Sequence, residues 1–107
     1  MIRILLLCEM GASTSILEGR MNDYAKEKGL DVTVDARSMH DIDRILKSDK
    51  KPDYIFLGPQ VAYKKATFVK KYKDYGIPIE SISFDDYAMM NGESVVNKAL
   101  QALKDAE

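Results

Sequence analysis

The residues best suited to chemistry lie close to the start of the chain, in the segment Cys8-Glu9-Met10-Gly11-Ala12-Ser13-Thr14-Ser15. It follows a continuous aliphatic run, Ile2 to Leu7, of the kind expected for a central strand buried on both faces. It precedes a helical pattern in which Leu17, Met21, Tyr24 and Ala25 share one face. Cys8 therefore stands at a strand-to-helix turn. Gly11 supplies backbone freedom there, and Ser13, Thr14 and Ser15 can cap the helix or donate hydroxyl hydrogen bonds. The helix N-terminus adds unpaired N–H groups and a positive dipole end. Such donors lower a thiol pKa below its free value of about 8.5 and stabilise a phosphoryl group carried on the sulfur. A lone cysteine ending a strand is more often an inert core residue. The loop that follows Cys8 reverses that expectation.

The remaining chain supplies the elements that must hold this turn. Gly29 suits a helix C-terminal cap, and Val32 to Ala36 reads as a second strand. Asp41 can cap a short helix carrying Ile42, Ile45 and Leu46. Tyr54 to Leu57 is a third strand, stopped by Gly58-Pro59. Phe68, Val69 and Tyr72 mark the apolar side of a third helix, which Gly76 and Pro78 end. Ile79 to Phe84 reads as a fourth strand of mixed polarity, suited to a sheet edge, and Asp85 to Gly92 as a loop. Val96, Ala99, Leu100 and Leu103 form a final amphipathic helix. Strict β-α alternation predicts an α/β fold: a parallel four-stranded sheet with right-handed crossovers and helices on both faces. The preferred strand order is 2-1-3-4. Ligands in such sheets bind beyond the C-terminal strand ends, where the order reverses, and Cys8 is at that place.

Composition narrows the partners. The 107 residues suffice for one compact domain, taken as 1–107, and not for two. Sixteen basic and 17 acidic residues give a net charge of −1, which argues against nucleic acid as a partner. The N-terminal apolar run is too short for a membrane span or secretory signal, so direct membrane insertion is not expected and a cytoplasmic location is. One cysteine cannot form an internal disulfide, a Cys-x-x-Cys pair or a zinc cage. No metal and no cofactor is expected.

The segment Cys8 to Ser15 resembles the phosphorylation loop of enzyme IIB components of bacterial sugar phosphotransferase systems, lactose/cellobiose class. That loop reads Cys, two variable residues, Gly, a Met or Ala, then Ser-Thr-Ser. Leu57-Gly58-Pro59-Gln60-Val61-Ala62-Tyr63 resembles a second hallmark after strand 3, and the likeness spans essentially the whole chain. The resemblance implies a fold similar to low-molecular-weight tyrosine phosphatases. It implies that Cys8 accepts phosphate from a phosphohistidine of an enzyme IIA component. Cys8 would then donate it to a lactose/cellobiose-type β-glycoside bound by the membrane enzyme IIC. Met10, Gly11, Ala12, Ser13, Thr14 and Ser15 would surround the phosphate. Peripheral membrane association through enzyme IIC and a monomeric state follow as expectations. Two positions sit less easily: Glu9 sets a carboxylate beside the phosphorylated residue, and Ala12 replaces the Met of many relatives.

The strongest rival is a low-molecular-weight phosphatase. Those enzymes use Cys-x5-Arg-Ser, and the same spacing here gives Thr14-Ser15. Thr14 cannot supply the bidentate charge of a guanidinium. The acid that such an enzyme needs could be Asp85 or Asp86, although turn and capping roles suit both better. An arsenate reductase would need a resolving cysteine, which is missing. A flavodoxin would not need Cys8, and a receiver-like module would need acidic residues where the chain has Leu7-Cys8. Gln60 and Tyr63, after strand 3, could contact a partner or buttress the loop. His40 could approach the site rim, but reads more simply as a surface residue near a helix start. Lys64, Lys65, Lys70, Lys71 and Lys73 could form a docking patch, but read more simply as a solvated helix face. Met89 and Met90 suit packing under the final loop.

Overall fold

The run Ile2–Cys8 forms strand β1, and it is apolar almost throughout because both of its faces are covered. Strand β2 (Val32–Ser38) pairs with it on one side and strand β3 (Tyr54–Leu57) on the other. Strand β4 (Ile79–Ser81) pairs with β3, completing a parallel sheet of order β2-β1-β3-β4. This is the α/β sheet and the 2-1-3-4 order expected from sequence. The structure, a computed structural model, describes residues 1–10 and 12–107.

Helices cover both faces of the sheet: α1 (Ser15–Glu27), α2 (Ile42–Leu46), α3 (Lys65–Lys71), α4 (Phe84–Ala88) and α5 (Gly92–Asp105). Alternation along β1 divides the core. Ile4 and Leu6 pack with Leu17, Met21, Val95, Val96 and Ala99 under α1 and α5. Leu5 and Leu7 pack with Ile42, Leu46, Val61, Phe68 and Tyr72 under α2 and α3. Helix α1 ends as Gly29 suggests: Gly29 is left-handed at φ 67°, and the N–H groups of Gly29 and Leu30 reach back to the carbonyls of Lys26 and Ala25.

Four expectations are corrected. β2 runs two residues past Ala36, because Arg37 and Ser38 still pair with Leu7 and Cys8. β4 stops at Ser81 rather than Phe84. Ser83 is extended and its hydroxyl accepts from the Asp86 N–H, so a helix begins at Phe84, the expected strand end, and runs into the segment Asp85 to Gly92 expected as a loop. Asp41 does not cap α2 with its side chain, which pairs with Arg44 instead. The cap belongs to Ser38, whose hydroxyl accepts from the His40 N–H and opens the 3-10 turn Met39–Asp41.

The register Cys8↔Ser38 and Leu7↔Leu57, with Leu57↔Ser81, aligns the strand ends in one row. The segments that leave this row bring Ser13, Gln60 and Tyr87 into one hydrogen-bonded set and His40 beside Glu9.

Candidate functional site

Cys8 is the last residue of β1 and lies on the α1 side of the sheet, in phase with Ile4 and Leu6. It is buried, and its sulfur faces the turn rather than the core alone. The Thr14 hydroxyl donates to the Cys8 sulfur at 3.6 Å. Thr14 is itself fully buried and stands at the N-cap of α1, yet its side chain makes no capping hydrogen bond. Its hydroxyl is spent on the sulfur instead. Burial pushes the Cys8 thiol up, but the hydroxyls and backbone N–H groups of Ser13 and Thr14 outweigh that effect, so Cys8 ionises below its ordinary range.

The loop is folded onto itself around these donors. The Ser15 hydroxyl and N–H both donate to the Ala12 carbonyl, at 2.8 and 3.2 Å. Met10 is exposed, as are Ala12, Ser13 and Ser15. Of the residues expected around a phosphate, Ser13 and Thr14 contact the sulfur, Ala12 and Ser15 brace the turn, and Met10 sits on the rim. Gly11 lies outside the described residues.

Two walls support the loop. On the β2 side, the Ser38 hydroxyl donates to the Glu9 carbonyl at 2.8 Å, and His40 Nε2 lies 3.4 Å from Glu9 Oε1. His40 is thus an exposed residue in a short helical turn, as the simpler reading had it, and also reaches the rim. On the β3 side, Gln60 Nε2 donates to the Tyr87 hydroxyl at 2.9 Å, and that hydroxyl donates to the Ser13 carbonyl at 2.8 Å. Gln60 is therefore linked to the loop through Tyr87. Tyr63 remains exposed, with the Lys64 ammonium 5.9 Å from its ring centre. Gly58 closes the inner corner: a Cβ there would come within 2.8 Å of Gln60 Oε1 and 3.4 Å of Thr14 Cγ2. Neither Tyr87 nor Ser38 is singled out by sequence reasoning, since both act through contacts distant in sequence.

The other candidates are occupied elsewhere. Asp86 accepts from Lys98 Nζ at 2.7 Å and from the Ser94 hydroxyl at 3.0 Å. Burial raises its pKa, but Lys98, Ser94 and Ser83 outweigh this and hold the carboxyl below the usual carboxylate range. Asp85 is exposed in the first turn of α4. Lys65 pairs with Glu80, and Lys71 lies over the Tyr72 ring. Met90 packs against the core while Met89 is exposed. Among the described residues, no group of His, Cys, Asp or Glu side chains could hold a metal ion, and no helix is long and apolar enough to cross a membrane.

Residues 3–98 match the family model described as PTS system, Lactose/Cellobiose specific IIB subunit. The chain is 42% identical over 98 residues to the PTS system galactose-specific EIIB component of Lactococcus lactis subsp. cremoris, covering 90% of this chain and 91% of that protein. It is 41% identical over 98 residues to the cellobiose-specific EIIB component of Lactococcus lactis subsp. lactis, with the same coverage of 90% and 91%. Its fold matches the solution structure of the cellobiose-specific phosphotransferase IIB component protein from Borrelia burgdorferi. That match has a TM-score of 0.78 and 36% identity, covering 97% of this chain and 93% of that one.

Proposed function

The chain belongs to the lactose/cellobiose-specific IIB subunit family of the sugar phosphotransferase system and is a phosphotransferase component, and from that premise we propose that Cys8 is its phosphate carrier. The thiolate attacks the phosphorus of a phosphohistidine on a IIA component. The S–P bond forms as the P–N bond breaks, and the imidazole departs with the electron pair. A sugar hydroxyl bound by the membrane IIC component then attacks the same phosphorus. The S–P bond breaks, the thiolate is restored, and the hydroxyl proton passes to a base outside this chain. A β-glycoside of the lactose/cellobiose type is the proposed substrate.

The observation that carries this reading is the pair Ser13 and Thr14, whose hydroxyls and amides converge on the Cys8 sulfur. They hold a negative charge on sulfur, and the same donors suit the oxygens of a phosphoryl group. Holding differs from hydrolysing. A phosphatase would place a guanidinium at position 14 and a protonated carboxyl nearby. Here position 14 is Thr, and Asp86 is kept ionised by Lys98 and Ser94. These features favour a carrier over the phosphatase reading. The burial of Cys8 adds a requirement: the loop must shift when a partner docks, because an in-line attack needs an open path to sulfur.

The test is incubation with phosphoenolpyruvate, the general phosphotransferase proteins and a IIA component. Intact mass should show one added phosphate on wild type and none on Cys8→Ser. Label that persists in the Ser variant ends the proposal.

A further inference from the structure

Tyr87 comes from the far half of the sequence and grips the loop backbone, 74 positions from its partner Ser13. What it holds is specific. The Ser13 carbonyl and the Thr14 N–H belong to one planar trans peptide, so they point in opposite directions. A hydroxyl that holds the carbonyl on the Tyr87 side therefore keeps the Thr14 N–H on the opposite side, where it is one of the donors to Cys8. The direction of that hydroxyl is set in turn. Gln60 donates its amide hydrogen to the Tyr87 oxygen, which leaves the phenolic proton directed at Ser13. Two bonds in series also polarise one another.

We propose that Tyr87 is a positioning residue for phosphoryl transfer, orienting the Ser13–Thr14 peptide so that its N–H faces the sulfur and the phosphoryl oxygens, with Gln60 fixing the direction of its hydroxyl. This rests on the carrier reading of Cys8 given above. The Tyr87 hydroxyl bonds the loop backbone at Ser13, so it acts through the loop. Its ring packs against the α1–α5 core, so Tyr87→Phe keeps the packing and removes only the donor. Gln60→Glu makes a different change. A carboxylate at position 60 can only accept, so the Tyr87 proton turns toward it and the Ser13 carbonyl is released.

The experiment uses the full chain in four forms: wild type, Tyr87→Phe, Gln60→Glu and the double variant. Carbon NMR titration of the Cys8 Cβ reads thiol ionisation without requiring access to the buried sulfur. The initial rate of phosphate acceptance from phosphorylated IIA reads transfer. Tyr87→Phe should raise the titration midpoint by about half a pH unit and slow acceptance roughly tenfold, the scale of one misdirected hydrogen bond to a charged group. Gln60→Glu should do the same in the wild-type background and add little to Tyr87→Phe. An effect of Gln60→Glu that is undiminished in the double variant, where the Tyr87 hydroxyl is already gone, would mean through-space charge and would overturn the proposal. So would a Tyr87→Phe protein with an unchanged midpoint and a rate within about twofold of wild type. If wild type accepts no phosphate, the carrier reading fails on its own, and the titration still decides whether Tyr87 governs the thiol.

Discussion

Thr14 begins helix α1 but directs its hydroxyl to the Cys8 sulfur, 3.6 Å away, instead of to the helix backbone. An N-cap side chain ordinarily contributes about 1 kcal/mol to its helix. That contribution is forgone here, and the donor serves the Cys8 sulfur.

Thr14→Val keeps the branched shape and removes the donor. No cap is lost, so the melting temperature should move by only a few degrees, for a loss of roughly 1 kcal/mol. The thiol pKa should rise and phosphate acceptance should slow roughly tenfold. The pH profile carries the sign. A depressed folded-state pKa means the thiolate stabilises the fold. That stabilisation is fully present above the unfolded value of about 8.5 and is lost as pH falls through the folded value. Thermal melts of wild type and Cys8→Ser should thus diverge at alkaline pH and converge on acidification.

Asp86 joins α4 to α5 through Lys98 and Ser94, and α4 carries Tyr87. Asp86→Asn should lower stability by about 1 kcal/mol, kept modest because the Lys98 ammonium is more than half exposed. The wild-type contribution persists through neutral pH and fades as pH falls below about 3.9, since the folded carboxyl titrates below its unfolded value. Wild type should not hydrolyse aryl phosphates appreciably, and Asp86→Asn should leave that unchanged. A marked phosphatase activity lost in the Asn variant would revive the hydrolytic reading.

Gly92 starts α5 against the backbone of α1, where an added Cβ would come within 2.7 Å of the Arg20 carbonyl carbon. Backbone cannot yield as a side-chain tip can. Gly92→Ala should push the helices apart and cost about 1–3 kcal/mol, read as a fall in urea midpoint. Gly19 has nothing near its Cβ position, so Gly19→Ala should be neutral or stabilising.

Much of this was legible in the sequence, for local reasons. The aliphatic run of β1 and the polar, small-residue loop after it announce both the central strand and the place of Cys8. Sheet order follows from alternation and handedness, which need no side-chain detail. Helix α4 is hidden because five residues are too few to show a period, and because Phe84, apolar and exposed, imitates a strand end. The Ser83 cap is its local sign. The walls of the site were illegible for a different reason. Tyr87–Ser13 and His40–Glu9 are contacts between strand-end turns, set by the sheet register and invisible to any window of neighbouring residues.

Glu9 carries the last prediction. Its carboxylate adjoins the residue proposed to bear a dianionic phosphoryl group, and the His40 ring lies 3.4 Å from it. A like charge on the residue next in sequence disfavours the phosphorylated form, and the exposure of the Glu9 side chain keeps the effect small. Glu9→Gln should therefore shift the phosphate distribution between IIA and this chain toward Cys8 by about twofold to fivefold. The shift should shrink as salt is raised, because exposed charges are screened within about 10 Å at moderate ionic strength. A Glu9→Gln protein whose phosphate distribution equals wild type at low salt would show that this carboxylate points its field away from the sulfur. Glu9 would then bear on which partner docks rather than on how firmly the phosphate is held.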